Sequence, residues 1–317
     1  MRKHDLDFGH LETQSARRKS RRARFDDEPE PSRRGRLTEE ERVRLAHQRA
    51  DAYTETAIPG GGDRWSTWAD GEQGPLPRPS WVLTQLAAVD TELGVLKTGK
   101  EADVHLVRRG LPDGPQSLLA AKRYRSNEHR LFHRDAGYLE GRRMRRSREM
   151  RAIETRTAFG RNLIAEQWAS AEFAALSRLW TAGVPVPYPV QRSGTELLLE
   201  FIGDEDGTAA PRLAQVRAEG AELRDLWYQL VSALETMATH GLAHGDLSAY
   251  NLMVHEGRLV LIDLPQVVDI VANPRGLEFL ARDVRNVADW FAARGLPEDV
   301  LDADALVGEL RRAAGLP

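Results

Sequence analysis

The sequence predicts an α+β fold of two lobes, a sheet-rich N-lobe followed by a helical C-lobe, behind a largely disordered N-terminal extension. Three observations carry this expectation. Short apolar runs with strand character (VHLV, SLLAAKRY, ELLLEFI) fall before about residue 202, and long stretches with apolar residues three and four apart dominate after it. Hydrophobic residues make up 41% of the 317-residue chain, enough to fill a core of that size. The first 79 residues show no such pattern; they are charged and interrupted by Pro and Gly, as in RRKSRRAR, DDEPEP, PGGGDRW and GPLPRPS. The expected division is an extension over 1–79, an N-lobe over 80–201 with a long basic flexible loop at about 125–164, and a C-lobe over 202–317.

Taken in order, the extension carries one predicted helix. Thr38 and Glu41 form a capping box ahead of an Arg/Glu-rich run, which places it over about Thr38–Thr54. SWVLTQLAAV reads as a short amphipathic helix capped by Ser80, after a tryptophan-rich segment, Trp65 to Trp81, of the kind that fills a satellite core. VHLV and SLLAAKRY read as strands around a turn at Leu111-Pro112-Asp113-Gly114. The basic stretch RLFHRDAGYLEGRRMRRSREMRAIETRTAFGRN follows, then a helical pattern over Glu166–Trp180. VPVPYPV leads into the strand ELLLEFI and a long helix from about Leu213 to His240. Two short strands flank a turn at Glu256-Gly257, and helices over about Leu277–Arg294 and Pro297–Ala314 end the chain.

The bulk properties exclude several classes. The formal net charge is −3, so binding to nucleic acid does not follow from the total. Eleven Lys/Arg stand against seven Asp/Glu in residues 1–36, which makes the basic sign local. A solvated tail is the plainer reading of that run, because no aromatic residue interleaves its arginines as a stacking platform requires. With no cysteine there is no disulfide framework, thiolate metal site or cysteine nucleophile. The polar N-terminus and the lack of any 18-residue apolar run predict a cytoplasmic protein without a membrane partner.

The informative stretch is HGDLSAYN at His244–Asn251, followed closely by VLIDLPQ. A turn between strands is satisfied by any Asx residue. Phosphoryl transfer asks for more: a carboxylate to accept a hydroxyl proton, an Asn five residues on for a metal, and a later Asp for metal. Asp246 and Asn251 have that spacing, and Asp263 ends the apolar run LVLI, where a strand delivers its carboxylate to a cleft. Upstream, Lys122 in AAKRY sits on a strand, within reach of phosphates, and Glu172 in SAEFAAL is a helical partner for it. Leu93–Ala102 is glycine-containing and suited to covering phosphates, although it matches neither GxGxxG nor the Walker form.

Together these residues resemble the RIO family of atypical protein kinases, most closely its RIO-one-like branch. The resemblance runs from about Leu93 to Phe291 and rests on TGKEA at Thr98–Ala102, AAKRY, HGDLSAYN, IDLPQ at Ile262–Gln266 and NPRGLEFLARDVRNVADWF at Asn273–Phe291. It implies a two-lobed protein-kinase-like fold and an ATP-dependent serine/threonine kinase using Mg²⁺ or Mn²⁺, with a protein or ribosome-associated substrate. It implies that Asp246 is the catalytic aspartate, Asn251 and Asp263 ligate metal, and Asp263 also serves as a phosphoryl acceptor. Lys122, held by Glu172, contacts the phosphates; Thr98, Gly99 and Lys100 cover them; Glu200 to Ile202 form the adenine-binding hinge. The long gap between Lys122 and Glu172 matches a flexible loop in RIO proteins. Two departures stand out: Lys97 where the family usually has a serine, and His244-Gly245 for the more common His-Ala. The family's ribosome-maturation role is archaeal and eukaryotic, whereas the Arg- and Ala-rich composition fits a bacterial member.

Three other readings compete. One keeps the fold but makes the reaction ATP hydrolysis through a phospho-aspartate at Asp263, a switch rather than a kinase. Another is a small-molecule phosphotransferase of the aminoglycoside or choline kinase type, which shares HGDxxxxN but not IDLPQ or TGKEA. The last is a non-catalytic nucleotide- or RNA-binding module, contacting RNA through the N-terminal arm and the loop bearing Arg142, Arg143, Arg145, Arg146 and Arg148.

Overall fold

The computed structural model describes residues 58, 61–125 and 158–317. The helix expected over Thr38–Thr54 and most of the basic loop therefore lie outside the described residues. Two very short strands come first, β1 (Arg64–Trp65) and β2 (Glu72–Gln73), then three long ones, β3 (Val89–Thr98), β4 (Ala102–Gly110) and β5 (Gln116–Tyr124). Helix α1 (Ala158–Thr181) follows, then β6 (Pro189–Ser193) and β7 (Glu196–Glu200). All seven strands form one antiparallel sheet in the order β1-β3-β4-β5-β7-β6-β2.

Period-two alternation divides the sheet's apolar residues between its faces. Ala102, Tyr124, Leu197 and Leu199 turn inward and pack in one core with Ala165, Ala169, Phe173 and Leu176 of α1. Val107, Leu119, Ala121 and Leu198 turn outward, where Trp68, Val82, Tyr188 and Val190 cover them. Because β1 pairs with β3 and β2 with β6, the segment between them crosses the outer face from one edge to the other. It caps both edges, which would otherwise offer unpaired backbone groups. A buried ion pair lies in the sheet beneath it: Arg109 Nε and Nη2 donate to Asp90 at 2.7 and 2.9 Å, Nη1 donates to Gln191 at 2.8 Å, and Gln191 Nε2 in turn donates to Thr67 of the crossing at 2.6 Å.

These observations move the expected boundary at residue 79, since residues 61–79 supply β1, β2 and Trp68 to the N-lobe. The Ser80-capped helix does not form. Val82, Leu83 and Ala88 are instead buried, Val82 and Ala88 after turns closed by Val82 N to Pro79 O and Ala88 N to Gln85 O, both 3.1 Å. A helix that short is marginal on its own, and burial against the sheet outweighs its local preference. Leu93–Ala102 is not a free loop either; it is most of β3 plus the tight turn into β4. Helix α1 starts well before Glu166, so the basic loop ends earlier than residue 164. The helix stops in a Schellman motif, with Gly183 at φ +82°, Gly183 N donating to Trp180 O and Val184 N to Leu179 O, both 3.0 Å.

The C-lobe contains a 3₁₀ turn (Leu213–Gln215), α2 (Gly220–Thr239), β8 (Leu242–Ala243), β9 (Leu252–His255), β10 (Arg258–Leu261), β11 (Val268–Asp269), α3 (Gly276–Ala292) and α4 (Ala303–Ala313). The expected single helix from Leu213 thus divides, with Gly220 at φ +55° where α2 begins. Asp302 starts α4 later than expected, its side chain accepting from Ala305 N at 2.8 Å. Leu223, Leu226, Leu230 and Met237 of α2 meet Leu280, Val284, Val287 and Phe291 of α3 in the core. Two ribbons, β8 with β11 and β9 with β10, bracket the segments 244–251 and 262–267 at both ends. Between β9 and β10, Glu256 (φ +49°) and Gly257 (φ +73°) form the two-residue hairpin turn that the sequence announced. None of the described helices is long and apolar enough to cross a membrane.

Candidate active site

Lys122 on β5 and Glu172 on α1 lie 50 residues apart in the chain and meet in the core, with Lys122 Nζ 2.6 Å from Glu172 Oε1. The same Nζ donates to Asp263 Oδ1 at 2.8 Å. Glu172 is 1% exposed and accepts two further bonds, from Tyr124 Oη at 2.5 Å and from Leu264 N at 3.1 Å. One carboxylate therefore joins the sheet, α1 and the backbone that follows Asp263. Burial works against the Lys122 charge, but Glu172 and Asp263 outweigh it and raise its pKa above the ordinary lysine value. Burial likewise opposes ionisation of Asp263, yet Lys122, and then Lys97, hold its carboxyl below the usual range. Burial, then the Glu172 charge, pushes the Tyr124 hydroxyl well up, so it acts as a donor.

The segment with Asp246 and Asn251 is held from below by α3. Asp283, 1% exposed, accepts from Gly245 N at 2.6 Å and from Leu247 N at 3.0 Å. Asn286 Nδ2 donates to Leu247 O at 3.2 Å, and the Arg282 guanidinium donates to Gly245 O. Burial raises the pKa of Asp283, opposed by the two backbone N–H groups it accepts from. Gly245 sits at φ +83°, and a Cβ there would come 2.1 Å from Gln266 O, so the two segments approach in a way only glycine permits. His244 is buried, donates from Nε2 to Ile262 O at 3.1 Å and accepts from Asp246 N at Nδ1 at 3.4 Å, which together ask for the Nε2–H tautomer. Asn251 Nδ2 donates to Asp246 O at 2.8 Å, and Ile262 N to Asn251 O at 2.9 Å, tying Asp246, Asn251 and Asp263 into one unit. Asp263 itself is at φ +66° with its side chain 41% exposed.

The remaining expected residues surround this centre. Thr98 ends β3 and Gly99 turns into β4, Gly99 N donating to Ala102 O at 3.0 Å; a Cβ on Gly99 would lie 2.7 Å from that oxygen. Lys97, just before, is level with Val104 and through it with Lys122 across three strands. Burial, then Arg212, lowers the pKa of Lys97, with Asp263 opposing, while burial lowers that of Arg212. Glu200 ends β7 and its carboxylate accepts from Tyr188 N at 2.9 Å, so that side chain is turned to the protein; burial raises its pKa. Ile202 O accepts from Ala210 N at 3.0 Å. A cavity of about 660 Å³ adjoins this connection, lined among others by Trp81, Leu93, Arg108, Phe201 and Ile202.

Sequence reasoning missed Asp283, Tyr124 and Arg212. For Asp283 a signal exists: a carboxylate in line with Leu280, Val284 and Val287 on the buried stripe of a helix. Among the described residues no group of three His, Cys, Asp or Glu side chains can hold a metal. The oxygens on offer are the Asp263 carboxylate and the Asn251 carboxamide, whose NH₂ is spent on Asp246 O. That sparse set fits a Mg²⁺ that takes its other ligands from phosphates and water.

A curled antiparallel sheet with a lysine–glutamate pair, above a helical lobe presenting HGDLSAYN and IDLPQ, defines a two-lobed kinase-like protein. A RIO domain model matches residues 118–305. The chain is 37% identical over 219 residues to the RIO-type serine/threonine-protein kinase Rio1 of Haloferax volcanii, covering 68% of this chain and 69% of that protein. It is 35% identical over 212 residues to the serine/threonine-protein kinase RIO1 of Chaetomium thermophilum, covering 64% of this chain and only 40% of that protein. A solved structure, the Rio2 kinase-ADP/Mg²⁺-phosphoaspartate complex from Chaetomium thermophilum, aligns more distantly: TM-score 0.47, 22% identity, 71% of this chain and 66% of that one. The chain belongs to the RIO family of serine/threonine-protein kinases.

Proposed function

We propose that this chain transfers the terminal phosphoryl group of ATP to a serine hydroxyl of a protein, with Mg²⁺ as the metal. The observation that carries this reading is Lys122 bridging Glu172 and Asp263, beside the segment in which Asn251 is bonded to the backbone of Asp246. Bound ATP with its metal supplies the electrophilic phosphorus and neutralises the charge that develops on it. Lys122, its charge secured by two carboxylates, donates to phosphate oxygens. The Asp263 carboxylate and the Asn251 carboxamide oxygen hold the metal. Asp246 orients the serine hydroxyl and accepts its proton. With the Glu200 carboxylate turned to Tyr188, nucleotide contact there falls to the main chain. The exposure of Asp263 favours a second reading, in which its carboxylate accepts the phosphoryl group and water then releases it.

The test is an incubation of purified protein with γ-labelled ATP and Mg²⁺, with Asp246→Ala and Asp263→Ala alongside. Acid-stable label on serine, lost in both variants, is the expected result. Hydroxylamine-labile label lost with Asp263, together with steady phosphate release, selects the phospho-aspartate reading instead. Neither label nor phosphate from the wild type sinks both.

A further inference from the structure

Lys97 and Arg212 are not used by the mechanism above, although they approach the same cleft from opposite lobes. Lys97 stands opposite Val104, and Val104 opposite Lys122, so register puts both lysines on one face of the sheet. Two strand spacings, about 10 Å, separate their backbones. Arg212 lies on the other side. Its backbone bridges to Met253 of β9, and its guanidinium donates to the carbonyl of Tyr250, the residue before Asn251. Lys97 is close enough to feel the charges of Arg212, Asp263 and Lys122, and Arg212 feels Asp263.

What sets these two cations apart is their lack of counter-ions. Lys122 has carboxylates at 2.6 and 2.8 Å. Among the described residues, neither Lys97 nor Arg212 has a carboxylate within ion-pair distance. Gathering two like charges near a third is unfavourable by itself. An anion placed between them reverses the sign, and charge-assisted bonds to phosphate oxygens are among the strongest a protein makes.

We propose that Lys97 and Arg212 form a two-sided clamp for the terminal phosphoryl group of a nucleoside triphosphate, which lets the cleft discriminate triphosphate from diphosphate. This rests on the phosphoryl-transfer reading, in which Lys122 serves the inner phosphates and Asp263 marks where the outermost one lies. Lys97 closes from the sheet; Arg212, fixed to the loop that carries Asn251, receives from the floor.

The test uses the full chain with Mg²⁺ and measures dissociation constants by calorimetry for ADP and for a non-hydrolysable β,γ-imido ATP analogue. The proteins are the wild type, Lys97→Met, Lys97→Arg, Arg212→Met and Arg212→Lys. Each Met variant is expected to weaken the triphosphate analogue roughly tenfold or more while leaving ADP within about twofold. Lys97→Arg should restore the preference. Equal weakening of both nucleotides, or of neither, overturns the clamp while leaving the phosphoryl-transfer reading intact. Failure of the wild type to bind either nucleotide overturns that reading and the clamp with it. Lys97 belongs to neither hydrophobic core cluster, so Lys97→Met should melt as the wild type does. It carries the test alone if Arg212→Met does not fold.

Discussion

At the scale of single residues, Asp283 explains why the segment with Asp246 has a fixed shape. Its two oxygens occupy Gly245 N and Leu247 N in a site closed to water. Asp283→Ala strands both donors, at a cost of about 1–3 kcal/mol each. The expected outcome in urea is a lower midpoint with an unchanged slope, and phosphoryl transfer should fall with it. Asp283→Asn, with one acceptor oxygen for two donors, should lie between. Legibility at this scale depends on where a residue's partners are. Asp246, Asn251 and Asp263 stand in short stretches whose spacing alone suggests the proposed chemistry. Asp283 bonds across 38 and 36 residues, and Tyr124 reaches Glu172 across 48, so no local pattern contains either contact.

At the scale of elements, the segment before β3 decides how the N-lobe is finished. The Lys122-bearing strand, the hairpin at Glu256-Gly257 and the helix expected near Leu277–Arg294 stand close to where periodicity and turn residues put them, whereas three other helices begin elsewhere or divide and the Ser80-capped one does not form. The crossing of residues 64–73 over the sheet does not follow from periodicity. Its strands are two residues long, below what alternation can reveal, and Trp68 stands between Thr67 and Ala69 with no periodic apolar partner. Asp90 of β3 holds the crossing's first strand through Arg64, whose Nε lies 3.3 Å from its carboxylate. Asp90→Ala leaves the fully buried Arg109 without its carboxylate, a loss of about 3–5 kcal/mol as for other broken buried pairs. Chemical denaturation measures it. An apolar pair replacing Asp90 and Arg109 together should recover much of that stability, because the cost lies in the unpaired charge.

At the scale of the whole molecule, Lys122 and Asp263 tie the sheet lobe to the helical lobe, and the tie depends on pH in a fixed sense. Asp263 has a folded pKa below its ordinary value, so its contribution is present above about pH 4 and is lost as pH falls through the lower folded value. Lys122 has a folded pKa above its ordinary value, so its contribution is full below about pH 10 and is lost as pH rises through the higher one. Between about pH 5 and 9 both charges are present and the tie is constant. Urea midpoints of the wild type and Asp263→Asn, compared from about pH 9 down to pH 3, should keep a steady separation that closes only on the acid side. A separation unchanged down to about pH 3 would contradict the ionic tie.

Asp263 also has an evolutionary meaning, through its backbone. At φ +66° an aspartate is tolerated, but a glycine would be at ease. Its carboxylate further repels nothing only so long as Lys122 stays charged beside it. A descendant chain released from its chemistry would be free to drift toward glycine or asparagine at this one position, relieving the strain with the fold kept. If the proposed reaction holds, residue 263 is thus the place to look, in any newly found relative, for whether that reaction is still under selection.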